Sequence, residues 1–486
     1  MSNHSILENQ LNDYARKGLY PLHMPGHKRR LAPAPDLAAP TGWDMTEVPG
    51  VDDLHEAEGI LADAMDRTAT LHGTARTWYL VNGSTCGLLA GIRALARHGS
   101  TILAARNCHK AVYHAVELGE LSVHWLTPPV DPVFGVYGSL SPEQVKSALY
   151  EVPDAACLVL TSPTYEGAIS DIRTIAALCH EKGVPLLVDE AHGAHLGLFE
   201  GWPMSAVRLG ADLVVQSAHK TLPSFTQTAL LHLGKNSLAD PDEVERQLDI
   251  FETSSPSYPL LASLDGCTGL LREQGAQLFA NWSETLSDFD KAILPLKKLR
   301  VLCHGSDSLA DHPDMFGFDP GKLAVSTAGT NWTGHSLAAA LRERFGFETE
   351  MACGSINLAM TSPADDRNAI LRFAQALLTL DSESTSASPA APTVLPRPGK
   401  AVLPIGRALR EPACELSLGE AVGAVSAEYI WAYPPGVPLL APGEVIGSEF
   451  ARIAQSLAES GTNLHHSHCR KPGFLRILQH RDGFLA

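Results

Sequence analysis

Two stretches, Pro185-Leu186-Leu187-Val188-Asp189-Glu190-Ala191-His192 and Leu213-Val214-Val215-Gln216-Ser217-Ala218-His219-Lys220-Thr221, decide how the rest of the chain is read. Each opens on a short apolar run of the kind that forms a strand buried on both faces. One run ends in an acid, the other leads to a lysine. That pair suits an enzyme that holds pyridoxal phosphate on a lysine as a Schiff base, with a carboxylate on the pyridine nitrogen. Most lysines after a strand are simply exposed cations, so the reading depends on the sequence around them.

Working outward, apolar runs at 77–81, 101–105, 123–126, 157–161, 185–189, 213–216 and 229–233 read as strands. The intervening segments carry helical periodicity. Residues 171–182 are a clear case, with Asp171 as N-cap and Gly183 as the stop. Strands alternating with helices predict an α/β fold, a mostly parallel seven-stranded sheet covered on both faces. Around this large domain, 46–295, the composition marks an N-terminal arm at 1–45, a smaller α+β domain at 296–380 and a C-terminal α+β domain at 400–486. A Ser-, Ala-, Thr- and Pro-dense linker occupies 381–399. Residues 240–290 read as helix, broken at Ser254-Ser255-Pro256-Ser257-Tyr258-Pro259.

Bulk properties narrow the function. The chain has 486 residues, 45% hydrophobic and 19% charged, enough for several domains and a large core. A net charge of −17 argues against general nucleic-acid binding, which needs clustered Lys and Arg, and is compatible with steering a small cationic substrate. No apolar run approaches the roughly 20 residues that span a bilayer, so no membrane partner is expected. The first residues lack the basic and apolar regions of a signal peptide. The nine cysteines form no CxxC pair and read as reduced thiols of a cytoplasmic protein.

Ligands of open α/β sheets collect at the carboxyl ends of the strands. Five such ends here carry functional side chains. Asn82-Gly83-Ser84-Thr85-Cys86-Gly87 precedes a helix expected at 88–98 and offers free N–H groups and hydroxyls at a helix start, a phosphate cradle or else a plain capped turn. Arg106-Asn107-Cys108-His109-Lys110 and Ser162-Pro163-Thr164-Tyr165-Glu166-Gly167 follow the next two ends considered, then Asp189 with His192, then Ser217 with His219 and Lys220. Lys220 must have its pKa lowered by burial or by neighbouring positive charge. Asp189 would keep the ring nitrogen protonated. His109 is the candidate to cover one ring face, and Ser84, Thr85, Ser217 and His219 could hold the phosphate, with His192 beside the cofactor. His192 and His195 could instead suggest a metal, but they lack the HExxH helix pattern. Leu464-His465-His466-Ser467-His468-Cys469 resembles a metal-binding tract, although a solvated loop is its more ordinary reading. No metal is expected, and no P-loop suggests ATP.

These segments, together with His23-Met24-Pro25-Gly26-His27-Lys28, Leu261-Ala262-Ser263-Leu264-Asp265 and Tyr433-Pro434-Pro435-Gly436-Val437-Pro438, resemble the Orn/Lys/Arg decarboxylase family. The likeness runs over residues 20–445 and is nearest to the short form, typified by Bacillus-type biosynthetic arginine decarboxylases, without the N-terminal wing of the long forms. It implies an aspartate-aminotransferase-like fold and pyridoxal 5'-phosphate as cofactor. It further implies Lys220 as the Schiff-base lysine, Asp189 as the pyridine partner, His109 as the stacking and catalytic ring, and His219 or Lys220 as proton donor. Ser254 and Ser255 would reach into a neighbouring subunit's site, which implies a homodimer at least. The expected substrate is a basic L-amino acid, arginine first, lysine or ornithine next, with Glu166, Glu190 and Glu47 as candidate acids for its tail. A transaminase, an oxidative decarboxylase-deaminase and an inactive partner-binding relative are the alternatives. The chain departs from the family pattern at Ala218 and Ala111, where hydroxyl residues are usual, and Met351-Ala352-Cys353-Gly354-Ser355-Ile356-Asn357 lacks an expected acid.

Overall fold

The apolar runs assemble into one twisted sheet. In the computed structural model, described for residues 17–23, 26–28, 44–48, 51–387, 397–432, 437–459 and 464–479, the seven strands lie in the order Arg76–Leu80, Ala229–Leu233, Leu213–Gln216, Leu186–Asp189, Leu158–Thr161, Thr101–Ala105, Ser122–Leu126. Only Ala229–Leu233 runs against its neighbours; the other adjacent pairs are parallel. Every observed strand matches its expected position to within a residue at either end. Strands such as Leu213–Gln216 and Leu186–Asp189 are buried at every position because helices cover both faces. Register then does the functional work: Asp189 stands opposite Val215, and Thr161 opposite Asp189, so successive strand ends meet along one edge.

The helix Ile172–Glu181 begins where expected, with Asp171 Oδ1 accepting from Thr174 N at 3.1 Å. Gly183 ends it at a φ of +69°, open to glycine. The helix expected at 88–98 starts earlier and spans Gly83–Leu95, so the Gly-Ser-Thr turn is its first turn. The long helical region splits into Pro241–Phe251 and Tyr258–Ile293. Tyr258 and Pro259, expected in the break, instead open the second helix, where proline's missing N–H costs nothing.

The small domain is a four-stranded antiparallel sheet in the order Arg300–Val301, Lys322–Ser326, Ile356–Met360, Met351–Cys353, covered by the helices Gly334–Phe345 and Arg367–Glu383. The second helix runs into the stretch read as linker, because the buried Asp381 carboxylate accepts N–H bonds from Lys297, Lys298 and Leu299. Part of the arm joins this domain: Tyr20–Leu22 pairs in parallel with Phe347–Thr349. The C-terminal domain packs the helix Ser448–Glu459 on the strands Pro438–Leu440, Ile430–Ala432 and Leu464–His466 and on the pair Ala413–Ser417 and Phe474–Leu478. Met24, Pro25, residues 388–396 and Tyr433-Pro434-Pro435-Gly436 lie outside the described residues. Among the described residues no helix is long and apolar enough to cross a membrane.

Candidate active site

Lys220 lies in a single helical turn, Ala218–Thr221, directly after the strand Leu213–Gln216. Its Nζ is 3.0 Å from His192 Nε2. Burial lowers its pKa; Asp189 and Glu350 oppose that and Lys322 adds to it. A lysine so placed holds more of its neutral, nucleophilic amine than a surface one. Asp189, at the end of the adjacent parallel strand, is buried and accepts from Ala191 N at 3.1 Å. Burial raises its pKa, and Lys220 pulls it back.

Three imidazoles surround the amine. His109 caps the helix Lys110–Leu118, its Nδ1 accepting from Ala111 N at 3.2 Å. Burial, then Lys220, brings its pKa down to about 3. His219 Nδ1 is 2.8 Å from Thr228 O, which makes Nδ1 the protonated nitrogen, and burial brings this ring down to about 4. His192 is held well below the usual range by burial, then by Lys220 and Lys322. All three rings are therefore neutral at physiological pH. Tyr165 leans on His192, ring centres 4.6 Å apart, and donates its hydroxyl to Glu350 Oε1 at 2.6 Å.

On the phosphate side, Ser217 Oγ donates to Ser84 Oγ at 3.0 Å. Ser84 and Thr85 occupy the first turn of Gly83–Leu95, and Asn82 makes no side-chain cap bond to the first N–H groups of that helix. The donor set fits pyridoxal phosphate: an uncapped helix start with hydroxyls for the phosphate, a buried carboxylate for the ring nitrogen, and an amine of lowered pKa between them. Thr161 Oγ1, across the register from Asp189, is buried without a hydrogen-bond partner among the described residues.

The structure thus gathers Lys220, Asp189, His109, His192 and His219, and joins Ser84 to Ser217. Ser254 and Ser255 stand exposed in the break between the two long helices and bond none of these side chains within one chain. Of the candidate tail acids, Glu190 is turned into the core, where Ser205 Oγ (2.7 Å), Ala206 N (2.8 Å) and Gln216 Nε2 (2.6 Å) hold it and burial raises it to about 7. It cannot face a substrate. Glu47 is exposed. The stretch 351–357 carries no acid, and Glu350 immediately precedes it.

Sequence reading also missed two buried lysines. Lys322 donates to Asp319 Oδ2 (3.0 Å) and to His192 O (3.2 Å). His195, once a metal candidate, bonds the same Asp319 at 3.0 Å. Lys28 donates to Met360 O at 2.7 Å and His23 O at 3.0 Å, and Gly26 N donates to His219 O at 2.7 Å, so the arm motif braces the lysine turn. The histidine-rich tract is tied up as well: His466 meets Glu428 at 3.1 Å and His465 stacks on Trp431. Away from the site, Cys303, Asp307 and His312 cluster closely enough for one ion. Both His312 nitrogens, however, already meet carboxylates, Asp131 and Asp307, at 2.7 Å.

The family model "Orn/Lys/Arg decarboxylase, major domain" matches residues 6–335, and the C-terminal domain of the same family matches residues 391–479. The chain belongs to the Orn/Lys/Arg decarboxylase family. Membership makes it a decarboxylase and implies pyridoxal phosphate as cofactor. The decarboxylase is 34% identical to the uncharacterized protein YaaO of Bacillus subtilis, over 93% of this chain and 94% of that one. It is 32% identical to an arginine decarboxylase of the same organism, over 92% and 93%. Among solved structures, the lysine decarboxylase LdcF of Francisella novicida shares the fold with a TM-score of 0.73 at 19% identity, over 88% of this chain and 73% of that one.

Proposed function

We propose that this decarboxylase acts on a basic L-amino acid, L-arginine first, releasing agmatine and carbon dioxide, with lysine and ornithine as the nearest alternatives. The observation that carries the reading is the pair of adjacent parallel strand ends that brings the Lys220 turn to the buried Asp189, where each group perturbs the other. Homology to arginine decarboxylases over most of the chain supports the choice of arginine.

Each residue then has a task its chemistry allows. Ser84, Thr85 and Ser217 would anchor the cofactor phosphate at the helix start, with His219 beside them. Asp189 would face the ring nitrogen, and a cation there would stabilise its carboxylate against burial. His109 would lie flat on one ring face. Pyridoxal phosphate, when bound, supplies a protonated ring that accepts the electron pair left at the α-carbon as carbon dioxide departs. Lys220 would hold the cofactor through its amine, and the lowered pKa would keep that amine neutral and able to carry a proton once the substrate's own amine takes its place. His219 spends its N–H on Thr228 O, so the proton returned to the α-carbon is assigned to Lys220. His192, in contact with Lys220, would steady that amine. Ser254 and Ser255 would complete the site of a partner subunit in a homodimer, and the thiol pattern supports a cytoplasmic location.

The test is a panel of arginine, lysine and ornithine with amine and carbon dioxide both quantified. The expected result is one agmatine per carbon dioxide, with Lys220→Ala losing both turnover and the visible absorption of the bound cofactor. Turnover by Lys220→Ala, or a keto acid or aldehyde in place of the amine, would refute the reading.

A further inference from the structure

Near the lysine cluster, a cleft open to solvent lies where three parts of the chain meet. The large domain contributes Asn107, Tyr137, Tyr165 and Glu166, the small sheet contributes residues 351–356 (Ala352 excepted), and the C-terminal domain closes it with Val437 and Leu457. Tyr165 is the shared wall. Its ring packs 4.6 Å from His192, which contacts Lys220 Nζ, so a single imidazole links the cleft wall to the reacting amine.

Glu166 is presented to this space by a rigid turn. Thr164 Oγ1 accepts from Gly167 N at 3.3 Å and Ala168 N at 3.1 Å, and Gly167 has a φ of +118°, which glycine alone adopts readily. The carboxylate finds only the Thr164 hydroxyl and its own backbone N–H, and no cation among the described residues; burial pushes its pKa up. Two fully buried acids face cations, Asp319 with Lys322 and Glu444 with Arg106, whereas Glu190 and Asp381 are instead held by several neutral donors. Glu350, also near the site, already takes the Tyr165 hydroxyl and feels both Lys220 and Lys28. Glu166 is half-buried, and a carboxylate partly withdrawn from water with no cation beside it is stabilised by one that a ligand supplies. A second acceptor lines the same cleft, since the Asn107 side-chain oxygen is buried without a partner among the described residues.

We propose that Glu166 and Asn107 form the subsite that reads the substrate's distal cation, and that it selects a planar guanidinium over an ammonium. The proposal rests on the decarboxylase reading above and adds its specificity determinant. A guanidinium carries five N–H donors in a fixed fork, enough to serve both acceptors at once, and its plane stacks on rings such as Tyr137 and Tyr165. An ammonium is a point charge that gains less from two separated acceptors.

The experiment uses the holoenzyme and measures KM and kcat for arginine and lysine. It also measures the inhibition constant of citrulline, whose tail is a neutral ureido group. Glu166→Gln is expected to raise KM for arginine about 10- to 100-fold, the scale of a hydrogen bond to a charged group. Its kcat should stay within a few-fold, citrulline inhibition should be nearly unchanged, and the visible cofactor spectrum should be intact. Glu166→Asp, which keeps the charge, should fall between the two. Asn107→Leu should narrow the preference for arginine over lysine. An active enzyme whose arginine-to-citrulline ratio survives Glu166→Gln overturns this proposal alone. So does a fall in kcat with KM unchanged, which would assign Glu166 to the chemical step. A wild-type enzyme inert toward arginine, lysine and ornithine overturns the decarboxylase reading and this proposal with it.

Discussion

At the scale of single residues, burial perturbs Lys220 and Asp189 more than either perturbs the other, since desolvation is the largest influence on both. The same force neutralises the histidines around them, and it acts far from the site as well. His72 is buried against His232, ring centres 4.6 Å apart, and its pKa is lowered to about 3, by burial first and by Arg208 second. The folded ring thus refuses a proton that the unfolded chain binds from about pH 6.5 downward. Stability is lost as pH falls through that window, at about 1.4 kcal/mol per pH unit for this one group. His72→Phe removes that slope. Whatever its offset at pH 8, denaturant unfolding should show the gap between variant and wild type shifting by about 2 kcal/mol toward the variant between pH 6.5 and pH 5; an unchanged gap would contradict a neutral buried ring. Lys220, Asp189 and His109 were legible in the sequence because each follows an unmistakable strand. Glu350 and Lys322 were not, because nothing local marks them. Lys322 sits in a fully buried strand, and its partner His192 O comes from 130 residues away. Glu350 acquires its meaning only from Tyr165, 185 residues back.

At the scale of elements, legibility followed burial. Strands covered on both faces leave continuous apolar runs bounded by turns, and their ends could be read to a residue. The helix Gly83–Leu95 was misplaced because a Gly-Ser-Thr start suits an anion site and a loop equally well. The arm motif shows a third case, in which a glycine is fixed by a contact no sequence window contains. A Cβ on Gly26 would lie 2.6 Å from Thr221 C and 2.7 Å from Leu222 N, both backbone atoms of the lysine turn or its cap. Backbone cannot rotate aside as a side chain can. Gly26→Ala should therefore cost about 1–3 kcal/mol and raise hydrogen exchange across residues 218–222. Gly269, inside the helix Tyr258–Ile293, has open space where its Cβ would stand, so Gly269→Ala should gain about 1 kcal/mol from helix propensity. Thermal unfolding of the two variants should move in opposite directions; a neutral Gly26→Ala would show that the arm does not brace the lysine.

At the scale of the whole molecule, distant parts of the chain close on the cleft near the site, and the closing contacts join residues that sequence reading has no means of pairing. Arg106 follows the strand Thr101–Ala105 and stands three residues before His109, yet its guanidinium meets Glu444 of the C-terminal domain at 3.0 Å, with both side chains almost fully buried. Arg106 also donates to the Tyr113 hydroxyl at 2.9 Å and lies near the Trp125 ring, while Glu444 accepts from Ala441 N at 3.1 Å. Removing one partner of such a pair strands a buried charge and costs about 3–5 kcal/mol, whereas replacing both by apolar groups can be nearly neutral. Glu444→Leu should therefore destabilise strongly, and Arg106→Met with Glu444→Leu should recover most of that loss. Function should divide differently. The C-terminal domain supplies Val437 and Leu457 to the cleft wall, so a loosened dock in Glu444→Leu should raise KM for the substrate at temperatures well below its unfolding midpoint. The double variant, docked again through apolar contact, should regain that affinity along with its stability. If stability returns in the double variant while KM stays high, the buried ion pair positions the cleft as well as holding the domains together; if KM never moves in either variant, the C-terminal domain does not shape the substrate site.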